Sequence, residues 1–215
     1  MIYNNNLKWR QTQVQVTQRR IFIMRILYIF LCLFIFSPPV MADDKRDAEE
    51  IVKGKLDAVF AVLQKKDLDQ QAKKKEINEI VTPMFDFALM AKLTLGKKHW
   101  PSLPREKKEK FTELYIELLK TSYLDKLALY TDEKVIFEPP AQVKKKVHIP
   151  TQLVSKDRKT SILYKLYKPA DGWKVYDLEI QGVSIIRSYR AQFGEILQNG
   201  TIDDLLRKME KPADG

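Results

Sequence analysis

Residues 160–190 read TSILYKLYKPADGWKVYDLEIQGVSIIRSYR. Thr160 to Lys168 and Trp173 to Ile180 are dense in β-branched and aromatic residues, the composition of strands. Between them Pro169-Ala-Asp-Gly172 carries hairpin-turn chemistry: Pro presets one φ and Gly accepts a positive one. After Gly182 the apolar period lengthens from two residues to between three and four, through Val183, Ile186, Tyr189, Arg190, Phe193, Ile196 and Leu197. An antiparallel hairpin that runs directly into an amphipathic helix is the signature of an α+β domain.

Working outward, two further strands are expected at Val135–Phe137 and Val143–Val154. Pro139-Pro140 breaks the chain between them, and Ser155-Lys-Asp-Arg158 supplies a second turn. Upstream, Arg105 to Tyr130 is the strongest helical pattern in the chain. Phe111, Leu114, Tyr115, Leu118, Leu119, Tyr123, Leu127 and Tyr130 form its apolar stripe. Earlier helices hold Ala48, Ile51, Val52, Leu56, Val59, Phe60 and Leu63, with Asp43 or Asp44 as the N-cap. Others hold Ile77, Ile80 and Val81 up to Pro83, and Phe85 to Leu95 closed by Gly96. Thr201 caps a last helix with Ile202, Leu205 and Leu206. The expected architecture is α+β: a helical layer on a curved antiparallel four-stranded sheet.

The chain has 215 residues, 38 basic and 28 acidic, and a formal net charge of +10. That charge would suit an anionic partner, but its distribution changes the reading. Ile26–Phe36 (ILYIFLCLFIF) follows Arg19, Arg20 and Arg25 and precedes Ser37-Pro-Pro39 and Val40-Met-Ala42. A basic segment, a short apolar core and a small-residue cleavage site describe a secretory signal peptide. Eleven residues reach only about 16 Å as a helix, about half a bilayer core. Residues 1–42 are therefore expected to be a signal peptide and 43–215 a single domain. Met24 opens a complete compact signal, so residues 1–23 are expected to lie outside the translated protein. Removal of 1–42 takes five basic residues and no acidic one, leaving a net charge of +5 on 173 residues, and it removes Cys32, the only cysteine. Disulfides, cysteine-based metal sites and iron–sulfur centres are thereby excluded within one chain.

Little catalytic chemistry is legible. The sequence has no P-loop, no dinucleotide fingerprint and no nucleophile elbow. His99 and His148 are too few and too separated for a metal site or a triad. Asp177 and Glu179 lie two apart on a strand and are expected to face solvent. The runs Lys73–Lys75 and Lys144–Lys146 lack the interleaved aromatics of a nucleic-acid platform. Apolar side chain is what remains in surplus, and pattern alone does not separate a filled core from a lined cavity.

Several motifs together resemble the MlaC family: Phe85-Asp-Phe87 with Met90-Ala91, Leu95-Gly96 and Trp100; Phe111 to Leu119 with Tyr123 and Tyr130; and Gly172-Trp-Lys-Val-Tyr-Asp177 through Gly182-Val-Ser-Ile-Ile186 to Tyr189-Arg190 and Phe193. The resemblance covers about Ile51 to Met209; the stretch Glu138–Lys159 departs from it. It implies a deep apolar pocket between the helical layer and the sheet, and a periplasmic phospholipid carrier, an auxiliary component of an ABC transporter linked to toluene tolerance and outer-membrane lipid asymmetry. The implied partners are phospholipid, an inner-membrane ABC transporter complex and an outer-membrane lipoprotein complex. Neither nucleic acid nor a cofactor other than bound lipid cargo is implied, and the expected state is a monomer. From the apolar stripes and these motifs, the expected lipid-binding residues are Phe87, Met90, Phe111, Tyr115, Leu119, Tyr123, Tyr164, Tyr176, Val183, Ile186 and Tyr189. Hiding two acyl chains takes a cavity at or beyond the usual upper range of about 1,000 Å³. Gly182 is expected to permit a tight strand-to-helix turn. Alternatives are a hopanoid-type cargo, a docking adaptor without lipid, or an enzyme on a similar cone-shaped fold acting on a hydrophobic small molecule, with Asp86 or Asp177 as its buried acid. Under the leading reading there are no catalytic and no metal-binding residues.

Overall fold

A computed structural model describes residues 41–124, 133–155 and 158–211. Residues 1–40 of the expected signal peptide, Leu127, Tyr130 and the expected Lys156-Asp157 turn lie outside the described residues. From Ala42 onward the chain forms one compact unit.

The described residues of this unit form six α-helices and six strands: α1 (Met41–Leu63), α2 (Gln70–Val81), α3 (Phe87–His99), α4 (Arg105–Leu119), β1 (Lys134–Phe137), β2 (Ala141–Val143), β3 (Lys146–Ser155), β4 (Arg158–Tyr167), β5 (Lys174–Ile180), β6 (Val183–Ser184), α5 (Ile185–Asn199) and α6 (Ile202–Glu210). The sheet is antiparallel in the order β1-β3-β4-β5-β6, with β2 also paired to β3. Helices plus an antiparallel sheet match expectation, but the sheet has six strands rather than four. The strand expected at Val143–Val154 is folded into a hairpin. Val143 pairs with Lys146 across a turn in which Lys144 has φ 58°. The lysine run Lys144–Lys146 is thus a turn and the start of a strand.

Local chemistry sets most helix ends. Asp69 caps α2 by accepting the Ala72 N–H at 2.8 Å, and Asp86 caps α3 through the Leu89 N–H at 2.8 Å. Thr201 and Asp204 close a reciprocal capping box on α6. Asp44 does not cap α1, which begins at Met41; its carboxylate instead accepts from Lys168 Nζ at 2.7 Å. Gly96 breaks α3 with φ 71°, and Arg190 Nε donates to the Leu93 carbonyl there at 3.1 Å. Of the long helix expected to Tyr130, the stretch up to Leu119 is α-helical and Lys120–Leu124 is a π-helical turn.

The core has three parts. Phe111 and Tyr115 of α4 pack with Tyr189 and Phe193 of α5 and with Leu205 of α6. Phe111 and Tyr115 stack at 5.9 Å, and Tyr189 meets Tyr115 edge-on at 5.8 Å. Ala48 and Val52 of α1 lie against Val147, Ile149, Leu166 and Val175 of the sheet. Farther along α1, Val59 and Val62 meet Ile77 and Val81 of α2. The i, i+4, i+7 rhythm of α1 therefore serves two cores in succession.

Candidate functional site

A cavity of about 360 Å³ lies between the helices and the sheet. Leu56, Val81, Met84 and Phe85 wall it on the helical side, and Leu153, Ile162, Tyr164 and Leu178 on the strand side. Among the described residues Lys55, Ser122, Thr160 and the hydroxyls of Tyr123 and Tyr164 supply its polar lining, and no carboxylate lines it. Burial holds the Tyr164 hydroxyl well above the usual tyrosine pKa, so it stays neutral. The volume is near the lower end of the roughly 300–1,000 Å³ of ligand pockets and below the size expected from the sequence.

The eleven expected lining residues separate into four groups. Tyr123 and Tyr164 line the cavity. Phe87, Met90 and Leu119, again with Tyr123, line an adjoining void of about 20 Å³. Phe111, Tyr115, Ile186 and Tyr189 are buried in the α3–α6 core and line neither space. Tyr176 and Val183 stand apart. A β-bulge pairs Lys165 with Asp177 but Leu166 with Val175. One residue is thereby added to β5, which puts Tyr176 beside Asp177 on the outer face. There the Lys146 ammonium sits 4.1 Å from the Tyr176 ring centroid. Val183 is 60% exposed on β6. Sequence reading missed Phe85, Leu56, Leu153, Ile162 and Leu178 as lining residues. All five lie within helical or strand periodicities already recognised, but periodicity does not say which apolar positions border a gap.

The two acids weighed as catalytic, Asp86 and Asp177, both hold secondary-structure elements together through hydrogen bonds. Asp177 was expected in solvent but is 5% exposed. Its carboxylate takes the Ser184 hydroxyl at 2.8 Å, the Ile186 N–H at 3.3 Å and Lys165 Nζ at 3.1 Å. Lys165 also bonds Glu179; burial disfavours its charge, yet these two carboxylates outweigh that and raise its pKa. Asp86 caps α3 and accepts the Tyr167 hydroxyl, while its own N–H donates to the Val175 carbonyl at 2.9 Å. Burial first, and then Asp86, push Tyr167 up to about 12. Neither acid lines the cavity.

A second, larger space of about 660 Å³ is a groove along the end of α3 and the flank of α5. Leu93, Trp100, Phe193 and Leu197 line it, with Lys92, Lys97 and Lys98 at its edge. No sheet residue borders it. Among the described residues there is no cluster of three or more metal-binding side chains, and no helix is long and apolar enough to cross a membrane.

Helices laid on an antiparallel sheet define an α+β protein, here with a partly open apolar cavity lined by both layers. The family model described as "MlaC protein" matches residues 53–211. The chain belongs to the MlaC family. It is 26% identical over 121 residues to the intermembrane phospholipid transport system binding protein MlaC of Haemophilus influenzae. That match covers 54% of this chain and 56% of the relative, so the chain spans little more than half the length of that curated relative. In fold it is similar to a phospholipid-binding protein from Ralstonia solanacearum solved in complex with a phospholipid. The TM-score is 0.69 at 23% identity, over 76% of this chain and 95% of that one.

Proposed function

We propose that this chain is a periplasmic phospholipid carrier. It holds acyl chain in the cavity between helices and sheet and shuttles lipid between an outer-membrane lipoprotein complex and an inner-membrane ABC transporter complex. The observation that carries this reading is the lining of the 360 Å³ cavity: apolar on both walls and, among the described residues, free of carboxylate, with Lys55 as a cation. Membership of the MlaC family supports the same reading.

Each buried methylene contributes about 0.8 kcal/mol, so two chains of about fifteen methylenes carry roughly 24 kcal/mol of exposure that a carrier hides from water. The head group stays at the opening, where Lys55, Ser122 and Thr160 offer a cation and two hydroxyls. A two-chain lipid exceeds the present volume, so loading parts the walls. Bound lipid is the only cargo, no other cofactor is required, and the working unit is a monomer that performs no catalysis. Residues 1–42 act as the export signal and leave the mature chain starting at Asp43.

Lipid mass spectrometry on the folded protein taken from its native envelope tests this. Stoichiometric phospholipid is expected; protein free of lipid, or carrying only hopanoid, contradicts the proposal.

A further inference from the structure

Two voids meet at one partition. The 360 Å³ cavity and the 20 Å³ void share three lining residues: Phe85, Tyr123 and Leu178. Phe85 is the half-buried side chain that touches all three parts of the core. Its main chain is pinned, because Phe85 forms an isolated bridge with Val175 and the next residue both bonds Val175 and caps α3. Its ring is held differently, by stacking on Phe87 at 5.4 Å and by other apolar contacts. Such contacts are non-directional and allow a rotamer change that leaves the backbone in place. Tyr123 reaches the partition from the π-helical turn.

Behind the partition stand Phe87, Met90, Leu119 and Ile185. Among the described residues Tyr123 is the one lining side chain with a polar atom and the rest are apolar, so the space suits apolar matter. Met90, unbranched and flexible, lets it enlarge.

We propose that the Phe85 ring is an internal stop that sets how long an acyl chain the cavity accepts. The void between α3, α4 and β5 is then a second subsite, for the terminal methyl end of a chain, entered when the ring turns aside. This rests on the carrier reading and names the part of the ligand that the deep end recognises.

The test is competitive loading of the full chain with saturated lysophospholipids of graded chain length, read by native mass spectrometry. Phe85→Ala moves the longest retained chain upward, with about a fourfold gain in affinity for each newly buried methylene. Phe85→Leu, which keeps an apolar contact with all three core parts, moves it the same way by less, and covers the case in which the alanine variant fails to fold. Phe85→Trp moves the limit downward. Adding Leu119→Phe to Phe85→Ala fills the space from behind and restores the wild-type limit. An identical chain-length profile in wild type and all folded variants overturns the internal stop while leaving the carrier reading intact. Failure of the wild type to retain any lysophospholipid overturns the carrier reading itself, and the stop with it.

Discussion

The Ser184 hydroxyl sits 2.8 Å from Asp177 Oδ2 and accepts the Arg187 N–H at 3.2 Å, so one side chain joins β5 to the first turn of α5. Asp177 adds a carboxylate near the positive end of the helix and takes the Ile186 N–H as well. Ser184→Ala removes an N-cap and is expected to cost about 1 kcal/mol. Asp177→Ala also leaves the mostly buried Lys165 with Glu179 alone and is expected to cost roughly 3 kcal/mol. Chemical denaturation measures both. A larger effect from Ser184→Ala than from Asp177→Ala would contradict this ordering.

The turn before Ser184 makes a second prediction. It was expected to lead from strand to helix; it instead closes the two-residue hairpin β5–β6, with Ile180 paired to Val183. Gln181 and Gly182 both have positive φ, 50° and 77°, as a type I′ turn requires. A Cβ at Gly182 would meet no neighbour, so the penalty there is conformational alone. Gly182→Ala is expected to destabilise by about 1–2 kcal/mol, and Gln181→Asn to stabilise slightly. Thermal or urea unfolding of the two variants checks the opposite signs.

His148 predicts a pH dependence. Burial lowers its pKa, and the charge of Lys165 lowers it further; Lys146 acts in the same direction, while Glu179 and Asp177 oppose. Its buried Nε2 has no hydrogen-bond partner in the structure. The unfolded chain therefore binds a proton near pH 6.5 that the folded chain still refuses. Because the unfolded state holds more protons in that window, stability falls as pH drops from about 6.5 toward the lowered folded pKa. Urea midpoints across this range are expected to decline more steeply for the wild type than for His148→Gln. Equal slopes would remove His148 from the account.

Blocking the cavity should abolish retention without unfolding the protein. Thr160→Trp projects a ring into the chamber from β4, away from the three cores. It is expected to reduce co-purifying lipid at least about tenfold, since displacing only two methylenes costs about 1.6 kcal/mol. Lys55→Glu should reduce retention of anionic lipid more than that of zwitterionic lipid, and the difference should shrink as salt rises. Phosphorus assay of purified protein at two ionic strengths reads both effects.

Much of this architecture is legible in the sequence, and the gaps have physical causes. The hairpin around Pro169–Gly172 and the cap at Thr201 carry distinctive turn chemistry and lie where that chemistry puts them, whereas Gly96, expected to close its helix, kinks α3, which runs on to His99. The β2–β3 hairpin was missed because its turn is Lys144-Lys145, with none of the residues that ordinarily mark one. Tyr176 was assigned to the wrong face because alternation assumes an unbroken period of two, and the bulge at Leu166 interrupts it. The α4 stripe correctly identifies Phe111, Tyr115 and Leu119 as apolar and buried. A stripe does not separate residues that fill a core from residues that border a void, and four of the eleven expected lining residues fill the core. Phe85 is legible as one apolar position of a helical pattern and of a motif; its position where three cores meet depends on contacts far apart in sequence.

The most direct test of the central claim is photolabelling with a phospholipid that carries a diazirine near the middle of one acyl chain, followed by peptide mapping. The account predicts adducts on β3, β4 and β5 at Leu153, Ile162 and Leu178, with labelling lost in Thr160→Trp. Adducts confined to the α3–α5 groove, at Leu93, Trp100, Phe193 and Leu197, would contradict it.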